Sequence, residues 1–239
     1  MFYFISRKKK RKLLGEQNIA GENNLVQNNG SDLTSVVFNI QGNHNTIIIH
    51  EGVKFNQVSF NIFGDFNQVI VSQNCQFNGP SEIWMQDDNC FISIGEHSTF
   101  EGVLLSATES GSKLMIGNDC MFSYDVDVRT GDSHAIISRD SGRRINYAKD
   151  ITFGEHVWVA SHCVFLKGSV IPSGSVVANS SLVNKAFDQE NVILAGRPAE
   201  IVKSNIEWHR ERNLTGSEEN DRLDTLTFDN VKPISAKSA

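Results

Sequence analysis

Apolar residues recur at every sixth position through the carboxyl-terminal half of the chain. The first residue of the six is apolar in six consecutive units: Phe153, Val159, Phe165, Ile171, Val177 and Val183. The fifth residue of the first five units is small: Val157, Cys163, Ser169, Ser175 and Ser181. A period of six fits neither an amphipathic helix, whose period is about 3.6 residues, nor a single long strand. The pattern predicts short strands joined by tight turns and wound into stacked coils.

The amino-terminal half of the chain also repeats, with a period of 22 residues. Residues 38–45 (FNIQGNHN) align with residues 60–67 (FNIFGDFN), and residues 94–100 align with residues 116–122. Because 22 is three sixes plus four extra residues, we interpret each repeat as one triangular coil of three short strands with a small bulge or loop. Asn is frequent in residues 18–89, where it can adopt the left-handed backbone angles of tight corners and stack on an Asn of the next coil.

The six-residue register is interrupted once, between Val128 and Phe153. The intervening residues 129–152 are rich in charged side chains. We therefore predict a loop extruded from the wall of the coils, and loops held on a rigid scaffold often carry the chemistry of a protein. His134 lies near the start of this loop, and Trp158 lies a short way beyond its end.

The composition fits one elongated domain. The chain has 239 residues, of which only 39% are hydrophobic, and a solenoid needs few large apolar residues because its core is a narrow column. No window approaches the roughly 18 continuous apolar residues of a membrane-spanning helix, so we expect a soluble, cytoplasmic protein. The four cysteines lack the spacing of a zinc site or a disulfide framework, which predicts free buried thiols: Cys75, Cys90, Cys120 and Cys163.

The net charge of −6 is unevenly distributed. Six basic residues run from Arg7 to Lys12, and without them 16 basic residues face 28 acidic ones, a charge of −12. A body this acidic argues against a nucleic-acid partner. The basic run follows an apolar start, so two interpretations stay open: a solvated terminus, or contact with the anionic inner face of a membrane.

The hexapeptide pattern, the extruded loop with His134 and the later Trp158 together resemble the hexapeptide-repeat acyltransferases. Among these, the loop resembles that of bacterial O-acetyltransferases acting on galactosides and polysialic acid. The likeness covers residues 85–203 well, with residues 30–84 as additional, less regular coils. It implies an all-β fold, a left-handed parallel β-helix.

The resemblance also suggests how the chain is divided. A basic amino-terminal segment would occupy residues 1–29, the β-helix residues 30–203 with its loop at 129–152, and a terminal helix and tail residues 204–239. The helix is predicted because Ile201, Val202, Ile206 and Trp208 would share one helical face.

The resemblance further implies acetyl-CoA as co-substrate, a carbohydrate acceptor and a homotrimer with active sites between subunits. His134, in the word Gly-Asp-Ser-His, would be the general base, because imidazole titrates near neutral pH. Asp132 or another acid would hold its tautomer, and Arg129, Asp132 and Arg144 would contact the acceptor. A backbone N–H near Ala160 or Ser161 would stabilise the oxyanion.

The donor site is also assigned by resemblance. Residues 193–199 (ILAGRPA) are similar to a closing segment that lies against coenzyme A in this family. Trp158 would lie beside the thioester, and the pantetheine arm would pass Ala160, Ser161 and Asn179. The cations that would meet the phosphates are Lys185, Arg197 and Lys203. Glu200 departs from the family pattern, which commonly has a basic residue there.

Three alternatives stay open. An N-acetyltransferase acting on an amino-sugar nucleotide would use the same fold and donor. A γ-type carbonic anhydrase would need three zinc-binding histidines, with His134, His156 and His162 as candidates, although their spacing does not match that family. We therefore expect no metal. A scaffold without catalysis would not require His134 and Trp158 around one interruption.

Overall fold

The structure is a computed structural model of the chain, and it describes residues 15–212. Within these residues there are 21 strands and no helix. The strands are β1 (Gln17–Ala20), β2 (Leu25–Asn28), β3 (Val36–Gln41), β4 (Thr46–Ile49), β5 (Lys54–Phe55), β6 (Val58–Phe63), β7 (Gln68–Val71), β8 (Gln76–Phe77), β9 (Ser81–Gln86), β10 (Phe91–Ile94), β11 (Thr99–Thr108), β12 (Lys113–Ile116), β13 (Met121–Arg129), β14 (Ile151–Phe153), β15 (Trp158–Val159), β16 (Val164–Phe165), β17 (Val170–Ile171), β18 (Val176–Val177), β19 (Leu182–Val183), β20 (Val192–Gly196) and β21 (Ala199–Ser204).

The strands stack in parallel to form the three faces of a prism. The first face contains β5, β8, the amino-terminal parts of β11 and β13, β15, β18 and β20. The second face contains β1, β3, β6, β9, the carboxyl-terminal parts of β11 and β13, β16 and β19. The third face contains β2, β4, β7, β10, β12, β14 and β17. This confirms the predicted coils of three short strands.

Both predicted periods appear in the strand register. Phe38 pairs with Phe60 and Ile94 with Ile116, which are the alignments seen in the amino-terminal half of the sequence. After the loop each coil shortens to three units of the hexapeptide repeat, so that Trp158 pairs with Val176 and Val164 with Leu182. We call the coils before the loop the broad coils and those after it the tight coils.

Stacked aromatic rings form the core of the prism. The rings of Phe77 and Phe100 lie 4.8 Å apart and those of Phe100 and Phe122 lie 5.0 Å apart, all fully or almost fully buried. The column continues into the tight coils through Phe153 and Phe165, whose rings are 4.8 Å apart. Apolar side chains at equivalent positions of every coil thus remove a continuous column from water, which is the main stabilising contribution in such a fold.

The asparagines of the broad coils form ladders at the corners, as the sequence predicted. The Asn67 backbone N–H donates to Asn45 Oδ1 at 2.9 Å, and the Cys90 N–H donates to Asn67 Oδ1 at 2.8 Å. Both asparagine side chains are fully buried. Asn23, Asn74 and Asn89 adopt positive φ angles of 56–59°. Each side chain of the ladder supplies an acceptor to a corner N–H that the strand pairing leaves without one.

The predicted start of the β-helix at residue 30 is wrong. The β-helix begins at Gln17, because β1 pairs with β3 and β2 with β4. The apolar pattern did not predict the first described coil, because its strands β1 and β2 carry few large apolar residues. Such a coil covers the core from one side only. The basic run from Arg7 to Lys12 and the tail beyond residue 212 lie outside the described residues.

The predicted terminal helix is also wrong. Residues 199–204 form β21, which turns back at Pro198 and pairs antiparallel with β20. Ile201 and Val202 are exposed and Trp208 is buried. The edge of β20 offers this segment backbone hydrogen-bond partners. This pairing stabilises the strand more than an isolated helical turn would be stabilised by its own apolar face. Within residues 15–212 there is accordingly no helix long and apolar enough to cross a membrane.

Candidate active site

The extruded loop leaves the second face after Arg129 and returns to the third face at Ile151. At its base the Lys149 N–H donates to the carbonyl of Thr130 at 3.0 Å. Thr130 is buried, and its hydroxyl donates to the carbonyl of Thr108 at 3.1 Å. Farther out, Ile137 and Arg144 form an antiparallel bridge. The predicted loop is therefore confirmed, and it is an ordered hairpin closed at its base.

Asn146 is the buried centre of this loop. Its amide Nδ2 donates to Asp132 Oδ2 at 2.8 Å and to the carbonyl of His134 at 2.7 Å. Its Oδ1 accepts a hydrogen bond from the Ile136 N–H at 2.7 Å. One side chain thus holds the backbone at His134 and Ile136 together with the carboxylate of Asp132. Sequence reasoning missed Asn146, since a loop asparagine ordinarily indicates only a turn.

Two ion pairs hold the loop against the coils at the corner between the second and third faces. Lys167 binds the carboxylate of Asp132, and Arg144 binds that of Glu109. The hydrogen bond from Lys167, supported by that of Asn146, lowers the pKa of Asp132 from its ordinary value of 3.8. Sequence reasoning also missed Lys167 and Glu109, because both are distant in the chain from their loop partners and contact the loop only in the folded structure.

The residues predicted to bind the acceptor have partners within the chain. Asp132 and Arg144 form the two ion pairs just described, and Arg129 Nε lies 2.7 Å from Asp127 Oδ1. The carboxylate of Asp132 is directed to Lys167 and Asn146, so its predicted role in holding the His134 tautomer is not seen in this geometry. Contact with an acceptor stays a prediction for all three.

His134 and Trp158 lie on different parts of the prism. His134 is exposed in the loop, whose anchors Glu109 and Lys167 lie between the second and third faces. Trp158 is 36% exposed and belongs to β15 of the first face. A single chain therefore does not bring the two predicted catalytic side chains together.

The buried side chain of Trp208 packs beside Trp158. Its ring stacks on His156 with centroids 3.9 Å apart, and its Nε1–H donates to the carbonyl of His156 at 2.8 Å. The rings of Trp158 and Trp208 are 6.0 Å apart. The segment after β21 thus returns to the first tight coil and places Trp208 beside Trp158. No sequence pattern indicated this contact.

The predicted pantetheine edge is a real edge of the prism, between its first and second faces. Asn179 Nδ2 donates to the buried Ser161 hydroxyl at 2.5 Å, joining two successive tight coils. The Ala160 N–H donates to the carbonyl of Val177 at 2.9 Å. Because that N–H already donates within the ladder, the geometry favours the Ser161 N–H over the Ala160 N–H as the predicted oxyanion donor.

The predicted phosphate-binding cations differ in their surroundings. Lys185 Nζ is 2.7 Å from both oxygens of Glu200, the residue that departs from the family pattern. Arg197 is exposed in the turn between β20 and β21, and Lys203 is exposed on β21. Lys185 is therefore partly neutralised, and the other two cations face solvent.

The three histidines of the zinc alternative occupy three different corners. His156 Nδ1 is 2.7 Å from Asp119 and His162 Nδ1 is 2.6 Å from Asp125, each in the preceding coil. His134 is in the loop at the remaining corner. Among the described residues, no three His, Cys, Asp or Glu side chains form a group that could hold a metal ion.

The stacked coils and the loop match the left-handed parallel β-helix fold of solved acetyltransferase structures, as the sequence predicted. The chain is 28% identical to the polysialic-acid-specific acetyltransferase NeuO, with a TM-score of 0.70 over 84% of this chain and 91% of that one. It is 26% identical to the polysialic acid O-acetyltransferase OatWY, with a TM-score of 0.63 over 87% and 94% of the two chains.

Curated sequences show the same likeness over a shorter span. The polysialic acid O-acetyltransferase of Neisseria meningitidis is 31% identical over 52% of this chain. That of Escherichia coli O1:K1 is 34% identical over 50%. The matched regions are 57% and 38% of these relatives' own lengths. No family model matches the chain.

Proposed function

We propose that this protein is an acetyl-CoA-dependent O-acetyltransferase that modifies a hydroxyl of a carbohydrate, a bacterial surface polysaccharide or its precursor. The observation that carries this proposal is the ordered loop that presents His134 from a rigid β-helix. Within the loop, the buried side chain of Asn146 binds the carbonyl of His134 and the carboxylate of Asp132. The similarity to two structures of polysialic acid acetyltransferases supports the same reaction class.

In the proposed reaction His134 accepts the proton of the acceptor hydroxyl. The hydroxyl oxygen then forms a bond to the acetyl carbonyl carbon, and the carbon–sulfur bond of the thioester breaks. His134 returns the proton to the departing thiolate, so the imidazole is regenerated. Negative charge on the carbonyl oxygen would be met by the Ser161 N–H, a preorganised donor on a rigid corner. Trp158 would lie against the thioester and keep water from it.

The donor would lie along the edge formed by Ser161 and Asn179. Small side chains on successive tight coils leave room there for an extended arm. Arg197 and Lys203 would bind the phosphates, since both face solvent, whereas Lys185 would first have to leave Glu200. We accordingly assign the larger part of phosphate binding to Arg197 and Lys203.

We further propose that the active enzyme is a homotrimer. His134 and Trp158 lie on different parts of one prism, and a neighbouring prism can bring its first face to this loop. Light scattering after size exclusion should give three times the mass of one chain. A monomer with full activity would contradict this assembly.

The decisive experiment compares acetyl transfer from acetyl-CoA by the wild-type chain and the His134→Ala variant. We expect at least a hundredfold lower kcat, because a positioned general base contributes about 10² to 10⁴ in rate. His50→Ala is the matched control, since His50 is an exposed corner residue of a broad coil. Equal turnover by the His134 variant and wild type would rule out this mechanism.

We propose that the protein is cytoplasmic and that the basic run from Arg7 to Lys12 contacts the inner face of the membrane. Six positive charges beside aromatic residues would be attracted to anionic headgroups. A chain lacking residues 1–14 should sediment less with anionic liposomes than the full chain does. Equal sedimentation would return the segment to a solvated terminus.

A further inference from the structure

A continuous depression runs along the second face of the broad coils and ends at the loop. Its part nearest the loop is a cavity of about 290 Å³, lined among others by Trp84, Ser106, Arg129 and Ser133. Ser133 directly precedes His134. A larger groove of about 710 Å³ adjoins it and shares Glu82, Leu104 and Arg129 with it. We call the two together the second-face groove.

Aromatic and amide side chains line this groove. Trp84 lies 5.0 Å from Phe63, ring to ring, and this partner fixes one side of the indole. Tyr124, at the other end, is 54% exposed and packs edge-on against His162 at 5.1 Å. Ser106 lies beside Trp84, and Gln86 adds an amide on the loop side of the indole. Flat aromatic surfaces beside hydrogen-bonding groups suit sugar rings, which present apolar C–H faces and hydroxyl edges.

The charge of the groove is negative. Its lining contains four carboxylates, those of Glu82, Glu101, Asp125 and Asp127. Among the described residues that line it, Arg129 is the sole cation. Its guanidinium Nε is held 2.7 and 2.9 Å from the two oxygens of Asp127.

The cations near the groove are occupied as well. Arg144 and Lys167 lie on the loop side, and both are paired with carboxylates of the chain. Glu82 and Glu101 accept hydrogen bonds from the neutral amides of Asn61 and Asn78, which bring no positive charge to these carboxylates. A polyanion entering this groove would be repelled by the carboxylates of Glu82 and Glu101, which form no ion pair within the described residues.

From this geometry we infer that the second-face groove binds a chain of uncharged sugars, and that it excludes polyanionic glycans such as polysialic acid. The inference rests on the proposed function, because it names the acceptor class for the same site. Sugar residues next to the acetylated one would stack on Trp84 and Tyr124, which would place the reacting hydroxyl near His134. The similarity to polysialic acid acetyltransferases would then extend to the reaction and not to the charge of the acceptor.

The test measures binding of the full chain to immobilised polysaccharides. The neutral set comprises α-glucans, β-glucans, galactans, mannans and chitin oligomers, and the anionic set comprises polysialic acid and hyaluronan. We expect binding to one or more neutral glycans, unchanged by raising salt, and about tenfold weaker in Trp84→Ala. Trp84→Phe should keep most of the affinity, which separates loss of the aromatic face from loss of the fold.

A variant with fewer carboxylates in the groove tests the exclusion of polyanions. Replacing Glu82 and Glu101 by Gln should raise the affinity for polysialic acid several-fold and leave that for the neutral glycan within twofold. Three results would overturn the inference: polysialic acid bound more tightly than every neutral glycan by the wild-type chain, no neutral glycan bound at all, or a change of oligomeric state in Trp84→Ala. The last would show that the groove is an interface between copies.

The proposed function is checked separately. Hydrolysis of acetyl-CoA by the wild-type chain and by His134→Ala is measured without any glycan. If hydrolysis depends on His134 but the neutral glycans fail to bind, only the assignment of the acceptor is wrong. If hydrolysis does not depend on His134, the mechanism itself fails.

Discussion

The broad coils and the tight coils stack in the same three-faced prism but differ in the number of residues per coil. A broad coil is longer than three hexapeptide units and gives its second face six-residue strands such as β6 and β9. A tight coil consists of three hexapeptide units and has two-residue strands. The extra residues widen one face and its corners, where the second-face groove lies. The tight coils keep small residues at their edges, where a narrow donor arm would fit.

Polar stabilisation differs in the same way. Corners of the broad coils use buried asparagines with bonds of 2.8 to 2.9 Å. Corners of the tight coils use serines, and the Val192 N–H reaches Ser175 Oγ at only 3.4 Å. A wide corner leaves more backbone groups to satisfy, which explains why asparagine is concentrated in the first half.

The largest expected effect concerns thiol reactivity in the two regions. Burial raises the pKa of Cys75, in a broad coil, to about 12 from 9.0. At a pH below both values the thiolate fraction is then about a thousandfold lower than that of an ordinary thiol. Labelling with a disulfide reagent at pH 8, followed by mass spectrometry, measures this. Labelling of native Cys75 at the rate of a free thiol would contradict it.

The order of labelling should distinguish the coils. Burial also raises the pKa of Cys163, in a tight coil. Because strands of two residues have fewer backbone hydrogen bonds, we expect the tight coils to open first in mild urea, with Cys163 labelled before Cys75. The reverse order would show that the asparagine corners are the weaker part.

The second effect concerns the core column. Phe100 is fully buried between Phe77 and Phe122. Phe100→Ala should lower the free energy of unfolding by about 3 to 5 kcal/mol, through lost burial and the cavity left behind. Phe66→Ala, a 56% exposed phenylalanine of a neighbouring broad coil, is the control and should cost about 1 kcal/mol or less. Urea unfolding measures both, and equal losses would argue against the column as the main support.

The third effect tests the corner ladders. Asn67→Ala leaves the buried Cys90 N–H without its acceptor, so we expect a loss of about 1 to 3 kcal/mol. Ser175→Ala removes two long hydrogen bonds, of 3.4 and 3.5 Å, and should cost about 1 kcal/mol or less. The same urea titrations apply. A larger loss for Ser175 would overturn the distinction between the two kinds of corner.

The fourth effect concerns the loop between the two regions. Asn146→Ala should reduce kcat for acetyl transfer by about ten- to a hundredfold, since it frees the backbone around His134. The KM for acetyl-CoA should stay within twofold, because the donor edge is elsewhere. A raised KM with unchanged kcat would assign Asn146 to donor binding instead.

The smallest effect is a pH dependence at the loop. The pKa of Asp132 is lowered in the folded chain, so its ion pair with Lys167 stabilises the loop at pH above the ordinary 3.8. This stabilisation is lost as the pH falls through the lowered pKa. In Lys167→Met the carboxyl should titrate nearer 3.8, as followed by NMR between pH 2 and 6. An unchanged titration would show that Lys167 does not set this pKa.

Much of this architecture could be predicted from the chain. The six-residue period specified the tight coils, and the alignment of residues 38–45 with 60–67 anticipated the register in which Phe38 pairs with Phe60. The interruption after Val128 located the loop. The first coil and β21 could not be predicted, because end strands are specified by a neighbouring edge more than by their own apolar pattern.

The sequence by itself determined the periodicity, and with it the stacked coils, the corner asparagines and the position of the loop. These follow from local repetition, since each coil meets an almost identical neighbour at a fixed offset. Only the tertiary structure decided what surrounds the site. Asn146 on the His134 carbonyl, Lys167 on Asp132 and Trp208 on His156 join residues 12 to 52 positions apart. No period encodes such contacts, because they depend on which residues the winding of the chain happens to bring to one corner.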